Sequence, residues 1–358
     1  MSRLLSIGIP TYNRGYSLSL MLDHLSSALV GHEERVEVVI SDNHSSDDTP
    51  VVIASWLTGK SRLLSAKTFR QETNVGVSKN LVFTLYSSSA KYFMPLGDDD
   101  MLNAGNISRL LGLLLDKQPS AVIQATCAGK LLLPKAGPIG FFDAASLFYE
   151  YGNAWAGIVD RAASIKALDS RVLREQVEEI VWPQTVFGFL AMYDLAPARA
   201  IEAVDYEIGR PLTESLTIPN KSYWIRSFAD LLKAVAILQA CTKSKIFRRR
   251  FLAFESRGMR SHVWSILFSS LVDGDTSSLV GLRVILSNGF GLRGLLLSCI
   301  FALDDMPRLL ELFMRLAYGV SGKKKKASFS EFLSNARADR QKELSMAPMS
   351  CKRYGDWF

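Results

Sequence analysis

Tyr92-Phe93-Met94-Pro95-Leu96-Gly97-Asp98-Asp99-Asp100 runs from a short apolar segment straight into three consecutive carboxylates. The apolar half reads as a strand buried inside a parallel sheet. Three adjacent acids at the carboxyl end of such a strand repel one another and call for a cation nearby. Open α/β sheets bind ligands outside the carboxyl ends of their strands, so this stretch points to fold and site together. Two readings of the acids stand side by side: ligands of a divalent metal, or capping and turn residues ahead of a helix that begins near Asn103.

Working outward, β-branched runs alternate with amphipathic segments in the manner of parallel strands joined by helices. Strands are predicted at Leu4 to Ile9, Val36 to Ser41, Leu63 to Phe69 and Tyr92 to Leu96, with two more at Ala121 to Ala125 and Gly157 to Asp160. Helices are predicted at Ser17 to Leu29, Thr49 to Leu57, Val77 to Tyr86 and Ile107 to Leu115. From about Lys221 the alternation gives way to helical periodicity, at Tyr223 to Thr242, Phe247 to Leu271, Val280 to Ile285, Leu295 to Leu303 and Met306 to Tyr318. The expected fold class is α/β, a mostly parallel Rossmann-like sheet flanked by helices with an all-helical C-terminal region. The expected domains are 1–205, 206–320 (helical and basic) and 321–358 (linker and polar tail).

Of the 358 residues, 48% are hydrophobic and 22% charged, which excludes a disordered or fibrous chain. The longest charge-free apolar runs fall short of the roughly 18 to 20 residues that span a bilayer, and the N-terminus shows no signal-peptide pattern, so a cytoplasmic location is expected. The four cysteines are scattered, without metal-ligand spacing, and read as free thiols. Charge is uneven: residues 1–205 hold 18 Lys+Arg against 22 Asp+Glu, net −4, and residues 206–358 hold 24 against 13, net +11. An acidic first part and a basic second part suggest two tasks, one of them involving an anionic partner.

The other strand ends sharpen the reading of the acids. The first strand runs into Pro10-Thr11-Tyr12-Asn13-Arg14, the second into Asp42-Asn43-His44-Ser45-Ser46-Asp47-Asp48-Thr49, and the third toward Asn74-Val75-Gly76-Val77-Ser78-Lys79-Asn80. These motifs, in this order and ahead of Asp98 to Asp100, resemble the family 2 glycosyltransferases of the GT-A fold over residues 4 to 115, with a weaker continuation to about 205. The variant is more similar to the transferases that build bacterial surface polysaccharides, abequosyl- and rhamnosyl-type enzymes among them, than to processive synthases.

The resemblance implies a donor site in which Pro10 to Arg14 line a nucleotide, Thr11 and Tyr12 flank its base, Asp42 accepts from a base ring N–H, and Asn74, Gly76 and Asn80 shape the opposite wall. Gly76 is expected to be a position of close backbone approach. Asp98 to Asp100 then correspond to the family's Asp-x-Asp motif, which contacts the ribose and holds Mn²⁺ or Mg²⁺ against the diphosphate. Members commonly read Leu-Asp-Ser-Asp-Asp here: aligned from the right, Gly97 stands at the first acid, and aligned from the left, Asp98 and Asp100 form the pair. The reading favours Asp98 for the ribose and Asp98 with Asp100 for the metal, with Asp99 able to replace either. The donor is a nucleotide sugar, carrying UDP, dTDP, GDP or CDP, and the acceptor a saccharide or lipid-linked saccharide.

Inverting members use a downstream carboxylate to deprotonate the acceptor hydroxyl. Glu178 and Glu179, ahead of Trp182-Pro183-Gln184, are the candidates for that base, beside the alternative that they form an exposed face of a Leu173 to Ile180 helix. Asp160 and Asp194 are the other downstream acids. Trp155 and Trp182 suit a sugar ring face or a core equally. No GxSxG, HExxH or Walker-type loop is present, and no histidine has metal-ligand company.

Lys243, Lys245, Arg248 to Arg250, Arg257 and Arg260 lie among Phe247, Phe251, Leu252 and Phe254, and Lys323 to Lys326 follow another apolar helix. Such segments suit an anionic membrane surface, here the inner face of the cytoplasmic membrane, as well as ordinary packing or an oligomer contact. No nucleic-acid motif is visible. Competing functions are a sugar-nucleotide pyrophosphorylase, whose Gly-rich triphosphate loop Pro10 to Arg14 is not, and a non-catalytic membrane adaptor of a polysaccharide assembly complex.

Overall fold

The computed structural model describes residues 3–59, 65–124, 126–127, 130–131, 136–141, 144, 157–180, 182–195, 198–204, 221–242, 263, 266–272, 283, 291–303, 306–320, 331, 333–338 and 341. Two compact units divide the chain, Met1–Glu214 with Lys233–Ser256, and Ser215–Leu232 with Arg257–Phe358.

In the first unit the order is β1 (Leu5–Thr11), α1 (Gly15–Ala28), β2 (Val36–Asp42), α2 (Thr49–Thr58), β3 (Ser65–Arg70), α3 (Val77–Ser87), β4 (Tyr92–Pro95) and α4 (Ala104–Lys117). There follow β5 (Ala121–Gln124), the short strands β6 (Thr126–Cys127), β7 (Lys130–Leu131) and β8 (Gly137–Ile139), then β9 (Ile158–Asp160), α5 (Arg161–Ala167), α6 (Arg171–Glu178), α7 (Pro183–Leu195) and β10 (Ile201–Val204). Eight strands form one sheet in the order β3-β2-β1-β4-β9-β5-β10-β8. It is parallel from β3 to β4 and between β5 and β10, whereas β9 runs antiparallel to both β4 and β5, and β8 antiparallel to β10. The mostly parallel sheet expected from the sequence is present.

Alternation along the strands assigns the two faces. Leu5, Ile7 and Ile9 of β1, Val36, Val38 and Ile40 of β2, and Tyr92 and Met94 of β4 share a core with Leu18, Met21, Leu22 and Leu25 of α1, Ile53 and Trp56 of α2, and Ile107, Leu110, Leu111 and Leu114 of α4. On the opposite face a Cβ at Gly8 would fall 2.5 Å from the Phe93 ring and 2.6 Å from Thr84 Oγ1, so only glycine lets that ring and α3 lie against β1. Phe93 meets Phe187 of α7 edge-on, 6.3 Å between ring centroids.

The amino edge of the sheet is sealed by buried charges. Arg199 donates to Asp160 Oδ2 at 2.7 Å, to the Tyr92 hydroxyl at 3.0 Å and to the Pro119 carbonyl at 2.6 Å. Glu37, with no exposed surface, accepts from Ser6 Oγ, Lys67 Nζ, the Ser89 amide and the Ser89 hydroxyl.

Local sequence explains most boundaries. The Asn103 side chain caps α4 by accepting from the Asn106 amide at 2.8 Å, and Ser170 caps α6. The helix expected to begin at Ile107 therefore begins at Ala104, and the three aspartates are not its caps. Two helices escaped the sequence reading. α5 has seven residues, and α7 is buried from Pro183 through Met192, so it lacks the polar stripe that a periodicity argument needs.

In the second unit the described helical segments include α9 (Gly291–Ala302), α10 (Pro307–Val320) and residues 266–272, and the division between units passes within α8 (Lys221–Thr242). Phe228 packs edge-on against Phe301, and Arg337 donates twice to the Leu271 carbonyl. No helix among the described residues is long and apolar enough to cross a membrane. The basic cluster from Lys243 to Arg260 and the run Lys323 to Lys326 lie outside the described residues, as do Trp155 and nearly all of 321–358.

Candidate functional site

Register brings the strand-end loops together. Thr11 of β1 stands opposite Asp42 of β2, Asp42 opposite Arg70 of β3, and Gly8 of β1 opposite Pro95 of β4. The loops after β1, β2, β3 and β4 therefore leave the sheet side by side at its carboxyl edge.

The loops after β1 and β2 lock onto one another. Asn13 (φ 51°) and His44 (φ 67°) take left-handed conformations that non-glycine residues rarely adopt, a form of strain concentrated at functional sites. Asn13 donates its amide to Ser45 Oγ at 2.9 Å and accepts the Ser46 amide at 2.7 Å. The Arg14 amide donates to Thr49 Oγ1, and the Gly15 amide to Asp47 Oδ2. Asp47 also accepts from the amide and hydroxyl of Thr49, so the acidic run before α2 serves both the helix entry and the neighbouring loop.

Asp42 is 2% exposed; its Oδ1 accepts the Ser45 amide at 2.9 Å and its Oδ2 the Arg70 guanidinium at 3.2 Å. Arg70 continues to the Ser45 carbonyl at 2.8 Å. Each carboxylate oxygen keeps a further lone-pair direction. Asn74 Oδ1 accepts from Asn43 Nδ2 at 2.7 Å and from the Gly76 amide at 2.9 Å, while Asn80 exchanges hydrogen bonds with the Ser41 hydroxyl and carbonyl at 2.6 and 2.8 Å. These two amides brace the β3–α3 loop against β2. Gly76 corrects an expectation: nothing lies within 4 Å of where its Cβ would be, so it is not a close-approach position. Its φ of +87° with ψ of 156° is what calls for glycine.

Thr11 Oγ1 donates to Asp98 Oδ2 at 2.8 Å, and the Arg14 fork donates to Asp98 Oδ1 at 3.1 Å and Asp99 Oδ2 at 3.0 Å. Asp100 Oδ2 folds back to accept the Gly97 amide at 3.1 Å. A Cβ at Gly97 would lie 2.8 Å from Asp100 Oδ2 and 3.0 Å from Asp99 Oδ1, which gives a physical reason for glycine at that position. The structure thus brings together Thr11, Arg14, Asp98 and Asp99, with Asp100 in the same turn. Asp98 and Asp100, 5% and 8% exposed, are the buried acids of that turn, and their hard oxygens are the donor type that Mn²⁺ and Mg²⁺ prefer. Among the described residues no ready-made cluster of three metal ligands exists; the positive charge beside Asp98 and Asp99 is the Arg14 guanidinium.

Pro10 is buried within β1, and Tyr12 is half-buried at its end. Glu178 closes α6 and Glu179 follows it. Glu178 lines a cleft of about 310 Å³ with Gln71, Val75, Lys79, Phe83, Tyr86 and Arg174. Burial pushes its carboxyl above the usual carboxylate range, against the pull of Arg174 and Lys79. The described contacts join it to the β3–α3 side of the site, and none joins it to Asp98 to Asp100. The other downstream acids have structural partners: Asp160 pairs with Arg199 at the amino edge, and Asp194 with Lys166 on the surface. Trp182 accepts from the Thr185 amide and hydroxyl at the start of α7. Sequence reasoning missed Asn43, Ser45 and Arg70; the signal for Arg70 was its place at the end of β3, in register with Asp42.

Residues 6–131 match the profile of Glycosyl transferase family 2. No curated protein gives a significant sequence match. Among solved structures, S. aureus TarS 1-349 in complex with UDP is similar at 12% identity, with 97% of this chain and 93% of that chain covered and a TM-score of 0.54. The mannosyltransferase PcManGT from Pyrobaculum calidifontis, in complex with GDP-Man and Mn²⁺, is similar at 12% identity, with 95% and 88% covered and a TM-score of 0.50. Likeness at these identities speaks to the fold, which is of the GT-A type, and the family 2 glycosyltransferase profile matches the segment, residues 6–131, that carries the strand-end loops and the three aspartates.

Proposed function

We propose that the chain moves a single sugar from a nucleotide-activated donor to an acceptor hydroxyl of a bacterial cell-surface glycan, O-antigen, capsule or exopolysaccharide, by one displacement with inversion. The observation that carries this reading is the meeting of Thr11, Arg14, Asp98 and Asp99 at the carboxyl ends of β1 and β4, beside a wall braced by Asp42, Asn74 and Asn80. Similarity to folds that bind UDP, and GDP-Man with Mn²⁺, supports a nucleotide-sugar donor and a divalent ion.

In this reading Pro10 to Arg14 border the nucleotide, with Thr11 and Tyr12 beside the base. Asp42, already oriented by Ser45 and Arg70, accepts from the base ring N–H; a base without that donor leaves a buried acceptor unpaired and is rejected. Gly76 gives the opposite wall its turn. Asp98 takes the ribose, and Asp98 with Asp100, Asp99 alongside, would hold Mn²⁺ or Mg²⁺. The bound ion supplies Lewis-acid neutralisation of the charge that grows on the departing nucleoside diphosphate. Glu178 or Glu179 takes the proton of the acceptor hydroxyl, and burial raises the proton affinity of Glu178 above that of an ordinary glutamate.

The test is calorimetric titration with UDP, dTDP, GDP and CDP, each with Mn²⁺ and again with EDTA, on the wild type and an Asp98→Ala/Asp100→Ala variant. Metal-dependent binding of one nucleotide, lost in the variant, is the expected result. Binding of none would overturn the donor site and favour the adaptor reading.

Docking on the inner face of the cytoplasmic membrane, where a lipid-linked acceptor resides, is part of the proposal. It is supported by the +11 charge of residues 206–358 and by exposed Met306, Leu309 and Leu312 interleaved with Arg308 and Arg315 on and just before α10. Co-sedimentation with anionic but not neutral vesicles is expected, and equal sedimentation with both would remove it.

A further inference from the structure

We propose that Gln184 reads the transferred sugar, its carboxamide exchanging hydrogen bonds with hydroxyls of the donor's sugar ring; the inference rests on the donor-site reading above. Among the described residues, Gln184 is the only one with both side-chain polar atoms buried and unpartnered, at 2% exposure. A sealed amide with neither donor nor acceptor engaged bears the desolvation penalty of both, an arrangement native proteins keep where a ligand or water completes it.

Its place in the fold says which ligand. Ser78, at the start of α3 on the carboxyl edge of the sheet, donates its hydroxyl to the Ile180 carbonyl at 2.6 Å, so the segment leading into α7 begins at that edge. Beyond the other end of α7, the amides of Ala198 and Arg199 bond the Leu195 carbonyl, and Arg199 is held by Asp160 and the Tyr92 hydroxyl at the amino edge. α7 therefore runs from the carboxyl edge to the amino edge. Phe187 packs on Phe93 of β4, and Gln184, three residues earlier, lies on the same side of the helix about 4.5 Å nearer the carboxyl edge. It thus lies in the direction in which β4 continues to Gly97 and Asp98. With the nucleotide across the ends of β1 and β2 and the diphosphate at Asp98 to Asp100, the sugar is the part of the donor left for the first turn of α7.

The chemistry fits that part. A carboxamide offers one acceptor oxygen and two N–H donors and holds no titratable proton, so Gln184 recognises rather than transfers a proton. Vicinal ring hydroxyls both give and receive hydrogen bonds, and an epimer with one hydroxyl misplaced leaves the sealed amide unpaired again. Gln184 is therefore a specificity residue for the sugar and has no part in holding the base.

The test compares wild type, Gln184→Leu and Gln184→Glu by calorimetry with the nucleoside diphosphate the wild type selects and with a panel of its hexose and deoxyhexose conjugates, all with Mn²⁺, and by ligand-free thermal unfolding. The expected result is that Gln184→Leu binds the nucleoside diphosphate within twofold of wild type but the preferred conjugate about tenfold more weakly, and unfolds at the same or a higher temperature. Gln184→Glu, which keeps the acceptor and loses the donors, is expected to change the ranking of the conjugates. Equal weakening of diphosphate and conjugate, an unchanged preference, or a lowered unfolding temperature with intact preference would each overturn the inference while leaving the donor site standing. A wild type that binds no nucleotide removes the parent reading and this inference together.

Discussion

The two edges of the sheet treat buried charge in opposite ways. At the amino edge the buried acids Asp160 and Glu37 are closed by matched donors, Asp160 by Arg199, and Glu37 by Lys67, Ser6 and Ser89. At the carboxyl edge four acids, Asp42, Asp98, Asp99 and Asp100, stand with two guanidiniums, Arg14 and Arg70, an excess of negative charge. A closed network gives rigidity, whereas an excess of negative charge favours a cation. The proposed donor site lies at the edge where the acids outnumber the arginines.

Substitutions are expected to keep the two apart. The largest effect belongs to Asp98→Ala/Asp100→Ala, for which turnover of a donor is expected to fall by about 10³-fold or more while the unfolding temperature stays level or rises as repulsion is relieved. Steady-state kinetics and thermal unfolding on the same preparation check both halves. At the other edge, Arg199→Ala strips the partner from buried Asp160 and is expected to destabilise by about 3 kcal/mol, measured by denaturant titration, with nucleotide binding unchanged in the molecules that remain folded. Gly76→Ala forces a side chain into a conformation that is nearly glycine-only, which costs about 1–3 kcal/mol, and, with the donor site as proposed, it is expected to weaken nucleotide binding. A destabilised variant with native nucleotide affinity would detach Gly76 from the site.

The smallest expected effect is a pH dependence. Burial raises the carboxyl of Glu178, so the folded state favours the protonated form more than the unfolded state does. The stability linked to this group is full below the ordinary glutamate value and is lost as pH rises through the raised folded value. Glu178→Gln is therefore expected to be slightly more stable than wild type near neutral pH, with the difference vanishing in acid; paired denaturant titrations across that range decide it.

How much of this was legible in advance varied with the kind of signal. Strands β1, β2 and β4 were placed to within about two residues because β-branched runs bounded by turn residues leave few alternatives, and α4 was placed short at both ends because its cap, Asn103, lies outside the apolar repeat. α7 and β10 were not visible. A helix buried all round shows no stripe, and in β10 a buried glutamate, Glu202, interrupts the apolar run. At the site, the residue types at the strand ends were readable, but the reason for Gly76 was not, since close approach and positive φ select glycine alike.

The sequence alone therefore determined the α/β class, the four strand-end loops and the acids they carry, because these depend on local periodicity and on residues that lie next to one another along the chain. Only the tertiary structure decided that Arg14 forks across Asp98 and Asp99, that Asp42 is held by Arg70, that Asp160 belongs to the opposite edge, and that Gln184 is sealed without a partner. Each of these depends on strand register and helix direction, which bring together groups up to 85 residues apart in the chain and leave no trace in local pattern.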